Sequence, residues 1–162
     1  MKIIFLFILL TISSLSSAQT IINKDYLVLF TDTTKDEYGY KNLKGDTMIS
    51  LGKYDYCFTD TFRTFAIVLS QNRFIVIDRE ENTLYEVFPF DNGPDYSSEG
   101  LFRIIINYKI GYADSSTGNI IISPQYDCAY SFENGTAEVS NDCKQLPDGE
   151  HKIWVSNNWY YI

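Results

Sequence analysis

Three sets of residues recur along this chain at an interval of 36 positions. Tyr54-Asp55, Phe90-Asp91 and Tyr126-Asp127 form one set, Asn42, Asp78 and Asp114 a second, and Gly39, Ile75 and Gly111 a third. Around them one theme repeats: an apolar strand, a polar turn, an apolar strand, an aromatic-Asp loop, then another apolar strand. A period of about 20 to 50 residues marks a repeat architecture, in which a unit buries its apolar face only against its neighbours. Such a chain must stack copies of one small motif, so its sequence constrains shape more than chemistry.

The motif is built from strands. No segment past the first residues carries the ~3.6-residue apolar period of a surface helix. The 13 Tyr and 11 Phe, with many Ile and Val, fall in short runs broken by Gly, Asn, Asp and Pro. This pattern predicts strands at 26–30, 38–42 and 47–51, then at 64–69, 74–78 and 84–88, then at 101–106, 110–114 and 120–123. A fourth round begins at 136–140, is interrupted by an irregular insertion at 141–150, and resumes at 152–156 and 159–162. Gly45 supplies the positive φ of one turn, and Gln71-Asn72 reads as a tight hairpin turn. Gly93-Pro94 is expected to stop a strand inside the loop 89–100. The runs Ile104-Ile105-Ile106 and Ile120-Ile121-Ile122 are expected to be covered on both faces. The closing Trp159-Tyr160-Tyr161-Ile162 is expected to pair in a sheet, because a free apolar tail invites aggregation.

The fold class that follows is all-β, a tandem repeat of ~36-residue three-stranded antiparallel units. The units run over about 38–73, 74–109 and 110–141, followed by the insertion 141–150 and a partial unit 151–162. An open array is favoured, because the chain stops one strand short of a further unit. A closed, propeller-like ring is the alternative, if 20–22 supplies that strand beside Trp159.

The first residues read as an address. Met1-Lys2, the apolar run Ile3 to Ile12 and the small residues up to Ala18 form a signal peptide with cleavage after Ala18. The run is shorter than the ~20 residues that span a bilayer, so no stable membrane insertion is expected after cleavage. The mature chain, 19–162, is then one exported domain, periplasmic or secreted. The full sequence has a formal net charge of -8, which disfavours phosphate backbones and anionic membranes, so no nucleic acid is expected as a partner. Three cysteines leave one over in an oxidising compartment. Cys128 and Cys143 are nearest in sequence and form the candidate disulfide, which would tie the third round to the segment after it. Three buried thiols are the alternative.

The third round also resembles a known family, the WG repeat found in exported bacterial proteins. Ile110-Gly111-Tyr112-Ala113-Asp114, Gly118 in the turn, the strand to Ser123, Pro124-Gln125-Tyr126-Asp127 and Phe132-Glu133-Asn134-Gly135-Thr136-Ala137 carry the likeness. Tyr38-Gly39-Tyr40-Lys41-Asn42 and Phe74-Ile75-Val76-Ile77-Asp78 open weaker copies, and Trp159-Tyr160-Tyr161-Ile162 looks like the start of one more. The signature Trp is Tyr38, Phe74 and Ile110 in the three full rounds. The resemblance implies a β-repeat scaffold for binding or interaction, with no catalytic residue to carry across.

Chemistry-bearing residues are few. Asn42, Asp78 and Asp114 precede turns, where such side chains bond the local backbone. Asp55, Asp91 and Asp127 are expected to cap loops in the same way. His151 stands alone, so no metal site is expected, and no cofactor motif is present. Aromatic side chains are the better lead. Tyr54, Tyr96, Tyr126 and Tyr130 are the candidate binding aromatics, for an unknown protein or glycan. The expected function is that of a non-enzymatic exported binding module. The alternatives are a cell-envelope carbohydrate-active hydrolase with paired carboxylates and a purely structural envelope protein.

Overall fold

The computed structural model describes residues 26–149 and 151–162. The leader, the cleavage point at Ala18 and the segment 20–22 on which ring closure depends lie outside the described residues. All the regular elements described are strands, and among the described residues no helix is long and apolar enough to cross a membrane.

The chain zigzags. β1 (Leu27–Asp32), β2 (Glu37–Asn42) and β3 (Thr47–Tyr54) make the first antiparallel meander, followed by the short β4 (Tyr56–Cys57) and β5 (Thr61–Phe62). β6 (Ala66–Ser70), β7 (Arg73–Ile77) and β8 (Thr83–Val87) make the second, followed by the tiny hairpin of β9 (Pro89–Phe90) and β10 (Gly93–Pro94). β11 (Leu101–Ile106), β12 (Lys109–Asp114) and β13 (Ile120–Tyr126) make the third. β14 (Cys128–Ala129), β15 (Glu138–Ser140), the hairpin β16 (Lys144–Asp148) with β17 (His151–Val155), and β18 (Tyr160–Tyr161) complete the chain.

The meanders join edge to edge. β8 pairs with β11 through Val87↔Ile104 and Glu86↔Ile105, and β4 pairs with β6 through Tyr56↔Leu69 and Cys57↔Val68. The result is a seven-stranded sheet in the order β13-β12-β11-β8-β7-β6-β4, beside a four-stranded sheet β3-β2-β1-β5 and a three-stranded sheet β14-β15-β18. None of the sheets closes on itself.

Turn chemistry sets these registers. Gln71-Asn72 (φ 52° and 59°) and Asn107-Tyr108 (φ 52° and 64°) are two-residue turns with both residues left-handed, the form whose twist matches the flanking strands. At the second turn of each meander a side chain caps the backbone. Asn42 Oδ1 accepts from the Lys44 and Asp46 N–H groups, Asp78 Oδ1 from Glu80 and Asn82, and Asp114 Oδ1 from Ser116 and Thr117. This is the local bonding their positions predict.

The third recurring set has a steric cause. Where β3 and β13 pass Gly39 and Gly111 they leave regular register: Tyr38 pairs with Tyr54 while Tyr40 pairs with Ile49, and Ile110 pairs with Tyr126 while Tyr112 pairs with Ile122. The extra residues bulge over the glycine. A Cβ at Gly39 would meet the Ile49 carbonyl oxygen at 2.7 Å, and one at Gly111 the Ile122 carbonyl oxygen at 2.4 Å. Ile75 takes the same place in the second meander, and there β8 stays in register, Ile75↔Glu86 and Val76↔Tyr85, shifting only at the next rung, Ile77↔Thr83.

Each apolar core is shared by two neighbouring meanders. The first combines Leu27, Tyr40, Ile49 and Tyr54 with Val68, Ile75 and Ile77. The second combines Val76, Tyr85 and Val87 with Phe102, Ile104 and Ala113. The third combines Ile110, Tyr112 and Tyr126 with Ala129, Ala137 and Val139. Alternate residues of β7 therefore feed different cores, as a strand covered on both faces requires.

Several expectations are corrected. Ile104 to Ile106 are covered on both faces, but Ile120 and Ile121 are exposed, because β13 is the outer strand of its sheet. Gly93-Pro94 does not end pairing: Asp91-Asn92 (φ 46° and 64°) turns the chain so that Gly93 pairs with Phe90. The insertion is not irregular, since 144–148 pairs with 151–155 along five rungs from Lys144↔Val155 to Asp148↔His151. The closing residues do pair, Tyr160 with Val139 and Tyr161 with Glu138.

Candidate functional site

The inserted hairpin folds across the start of the third meander, and a run of aromatic rings lines the junction. Tyr96 meets Phe90 edge-on at 5.1 Å between ring centres. Phe88 meets Trp154 of β17 at 5.6 Å, Trp154 meets Tyr130 at 5.2 Å, and Tyr130 meets Trp159 at 5.5 Å. Arg103 bridges the two halves of the run, its guanidinium 4.3 Å from the centre of the Phe88 ring and 5.5 Å from that of Phe90. Phe88, Phe90, Arg103, Tyr130, Gln145, Ile153 and Trp154 enclose a cleft of about 280 Å³. Tyr96, Phe90 and Tyr130 remain exposed at 61%, 41% and 43%.

Beneath the rings lies a buried ion pair. Arg103 and Asp95 are each only 4% exposed. Arg103 Nη2 donates to Asp95 Oδ1 at 2.5 Å, while its Nε and its backbone N–H donate to Oδ2 at 3.0 and 2.8 Å. Its Nη1 donates to the Ala129 carbonyl at 3.2 Å. Both charges are taken from water, and the fork geometry satisfies them mutually. The floor of the cleft is therefore neutral overall, with the guanidinium plane set by Asp95 rather than free to swing.

The four aromatics singled out from sequence divide. Tyr96 and Tyr130 lie on the exposed run. Tyr54 and Tyr126 do not: they are 8% and 6% exposed and belong to the first and third cores. The cause is the bulge, which drives the end of β3 and of β13 inward past the glycine. Burial lifts the Tyr54 hydroxyl pKa to about 12 and raises that of Tyr126. The matching Phe90 stays exposed, and the second meander has no bulge at Ile75, its one shift of register falling between Val76 and Ile77. Phe88, Trp154 and Trp159, which complete the run, were not singled out from sequence. Trp159 had a signal, the likeness of the chain end to a repeat opening, whereas Trp154 sat beside a segment read as irregular.

The recurring acids after the aromatics have three separate roles. Asp55 Oδ2 accepts from the Gln71 N–H and so caps the β6–β7 turn at 2.9 Å. Asp91 is itself a turn residue. Asp127 pairs with Lys109 at 2.6 Å. Among the described residues no group of three or more His, Cys, Asp and Glu is placed to hold a metal ion. Cys128 and Cys143 are joined in a disulfide, with Cα atoms 5.8 Å apart, and Cys57 is a buried free thiol whose pKa burial raises. A larger hollow of about 470 Å³ lies between Thr59–Ile67 and Ser115–Thr117, its wall mixing the Tyr26, Phe62 and Phe65 rings with Thr and Ser hydroxyls.

Bonds between equivalent turns tie neighbours together. The Gly135 N–H donates to Glu99 Oε2 at 2.9 Å across 36 residues, and Ser98 Oγ donates to the Phe132 carbonyl at 2.5 Å. Glu99-Gly100 and Asn134-Gly135 are both left-handed two-residue turns, each closed by a bridge, Ser98↔Leu101 and Glu133↔Thr136. No curated protein and no solved structure matches the chain significantly. The segment holding β12, β13, the disulfide and the Asn134-Gly135 turn is recognised, however: residues 110–144 match the family model described as WG containing repeat, so the chain carries one stretch that is similar to that repeat.

Proposed function

We propose that this chain is an exported, non-enzymatic binding module whose three-stranded meanders are the ~36-residue repeat units and whose docking surface is the aromatic cleft. The observation that carries the reading is the exposed run Tyr96, Phe90 and Tyr130 beside Trp154, over a neutral polar floor. Large rings present much contact area at small entropic cost, and Tyr and Trp dominate binding surfaces. A protein or a glycan is the partner. A hydrolase using paired acids would need two carboxylates facing one space, about 5 to 10 Å apart. The polar side chains of the cleft lining are instead those of Arg103, Gln145 and Tyr130.

The test is capture from the host's own envelope extract by the immobilised oxidised chain, 19–162, with eluates read for proteins and glycans. The comparison is a Phe90→Ala/Tyr130→Ala double variant with unchanged thermal stability. A species held by the native chain and lost by the variant is the expected result. Equal eluates would remove the cleft as the docking surface. N-terminal sequencing of the chain secreted by its host checks the address, the expected first residue being Gln19.

A further inference from the structure

We propose that the cleft exists in full only while Cys128 and Cys143 are joined, so that thiol–disulfide exchange opens and closes it. This inference rests on the reading of the cleft as the docking surface.

The cleft has two walls of different origin. Phe88, Phe90, Arg103 and Tyr130 come from the repeat scaffold, while Gln145, Ile153 and Trp154 come from the inserted hairpin. That hairpin is a two-stranded sheet of its own, paired with no other strand. Two-stranded hairpins are marginal by themselves in water. Leu146, Ile153 and Val155 on it remain exposed, so it has no core of its own.

Its position depends on what holds its base. One attachment is the Asp142 carboxylate, which accepts from Ser140 Oγ, Ser156 Oγ and Asn158 Nδ2. These bonds close the hairpin's two ends on each other and on β15. The second attachment is covalent. Cys143, the residue before β16, is bonded to Cys128 in β14, which continues from the third meander and directly precedes Tyr130 by way of Ala129. The bridge thus links one wall of the cleft to the other. Trp154 supplies the other ties, through its ring contacts with Phe88 and Tyr130 and its packing against the third core.

The exchange needs a dithiol reductant of the thiol–disulfide oxidoreductase class. Its thiolate attacks Cys143 Sγ, the half-buried partner, because Cys128 is 3% exposed. The Cys128 thiolate leaves and is protonated. The reductant's second thiol then releases Cys143, so two electrons and two protons pass to the chain and the reductant becomes a disulfide. Reoxidation reverses each step.

The test needs no ligand. The oxidised chain, the same chain in dithiothreitol and a Cys143→Ser variant, all on a Cys57→Ser background, are compared by tryptic cleavage after Lys144 and by tryptophan emission. Both tryptophans, Trp154 and Trp159, sit on the aromatic run, so emission reports the cleft directly. Cleavage after Lys144 is expected to accelerate about tenfold or more, given the size of typical disulfide effects. Emission shifts to the red, while amide protection in β7 and β12 is kept. Unchanged cleavage and emission overturn the proposal, because ring contacts alone then hold the hairpin. Loss of protection throughout also overturns it, because the bridge is then a staple of the whole fold. An oxidised chain that captures nothing from extract removes the docking reading and leaves the hairpin measurement standing.

Discussion

Gly111→Ala is the sharpest test of how the meanders are built. The substitution adds one methyl group at a point where β13 crosses β12. Its Cβ would lie 2.4 Å from the Ile122 carbonyl oxygen, 2.6 Å from the Pro124 nitrogen and 2.8 Å from the Pro124 Cα. The nearest approach a Cβ tolerates is 3.0 Å, so β13 must retreat by about 0.6 Å. All three obstacles are backbone, which cannot rotate aside as a side-chain tip does. Overpacking of this kind costs about 1–3 kcal/mol, and a rigid neighbour places this case near the top, at about 3 kcal/mol. For a domain of this size the melting temperature should fall by roughly 6–12 °C. Urea unfolding followed by tryptophan emission supplies the measurement. Gly93→Ala is the control, since its Cβ meets only the Phe90 carbonyl oxygen at 3.7 Å. If the two variants differ by less than about 0.5 kcal/mol, an ordinary surface effect, the bulge is not what the glycine is for.

Arg103→Met should destabilise the fold by about 3–5 kcal/mol in urea, because it strands the buried Asp95 carboxylate, and adding Asp95→Asn should recover part of that loss. Tyr108→Gly should raise stability by about 1 kcal/mol: Tyr108 is 96% exposed and held at φ 64°, where a side chain is strained and glycine is not. Asp114 is held at a pKa of about 2, below the ordinary 3.8, first by the Ser116 and Thr117 hydroxyls and then by the Thr117 N–H. Its folded pKa is the depressed one, so its contribution is complete above about pH 4 and is lost as pH falls towards 2. An Asp114→Asn variant should therefore show a shallower decline of melting temperature across that window.

The strands and turns were legible because they are governed by local rules. Asn42, Asp78 and Asp114 cap turns through atoms within a few residues of themselves, and a two-residue turn such as Gln71-Asn72 announces itself by composition. The fate of Tyr54 and Tyr126 was not legible, because it depends on a bulge that the glycine opposite permits. That glycine was visible as a recurring set, but its partner strand was not. The edge position of Ile120 and Ile121 was hidden for a similar reason. A continuous apolar run looks the same whether another strand covers it or not, and sheet order is a long-range property. The aromatic cleft lay furthest from the sequence. Of the rings that line it, Phe90 alone belongs to a recurring set, and Trp154 comes from an insertion without a counterpart in the preceding rounds, so the period that organised the reading marked one ring and not the cleft.

Asp36, Asn72 and Tyr108 are left-handed turn residues spaced 36 apart, and one interval further on stands Lys144, where the inserted hairpin begins. The hairpin thus begins one such interval after the Asn107-Tyr108 turn. The scaffold has a socket at that corner of each round, open to solvent and clear of the ladders. Loops of new sequence could be grafted at 71–72 and 107–108 without redrawing any core, each bringing its own rings. A small chain of this kind is a frame on which recognition can be rewritten one corner at a time.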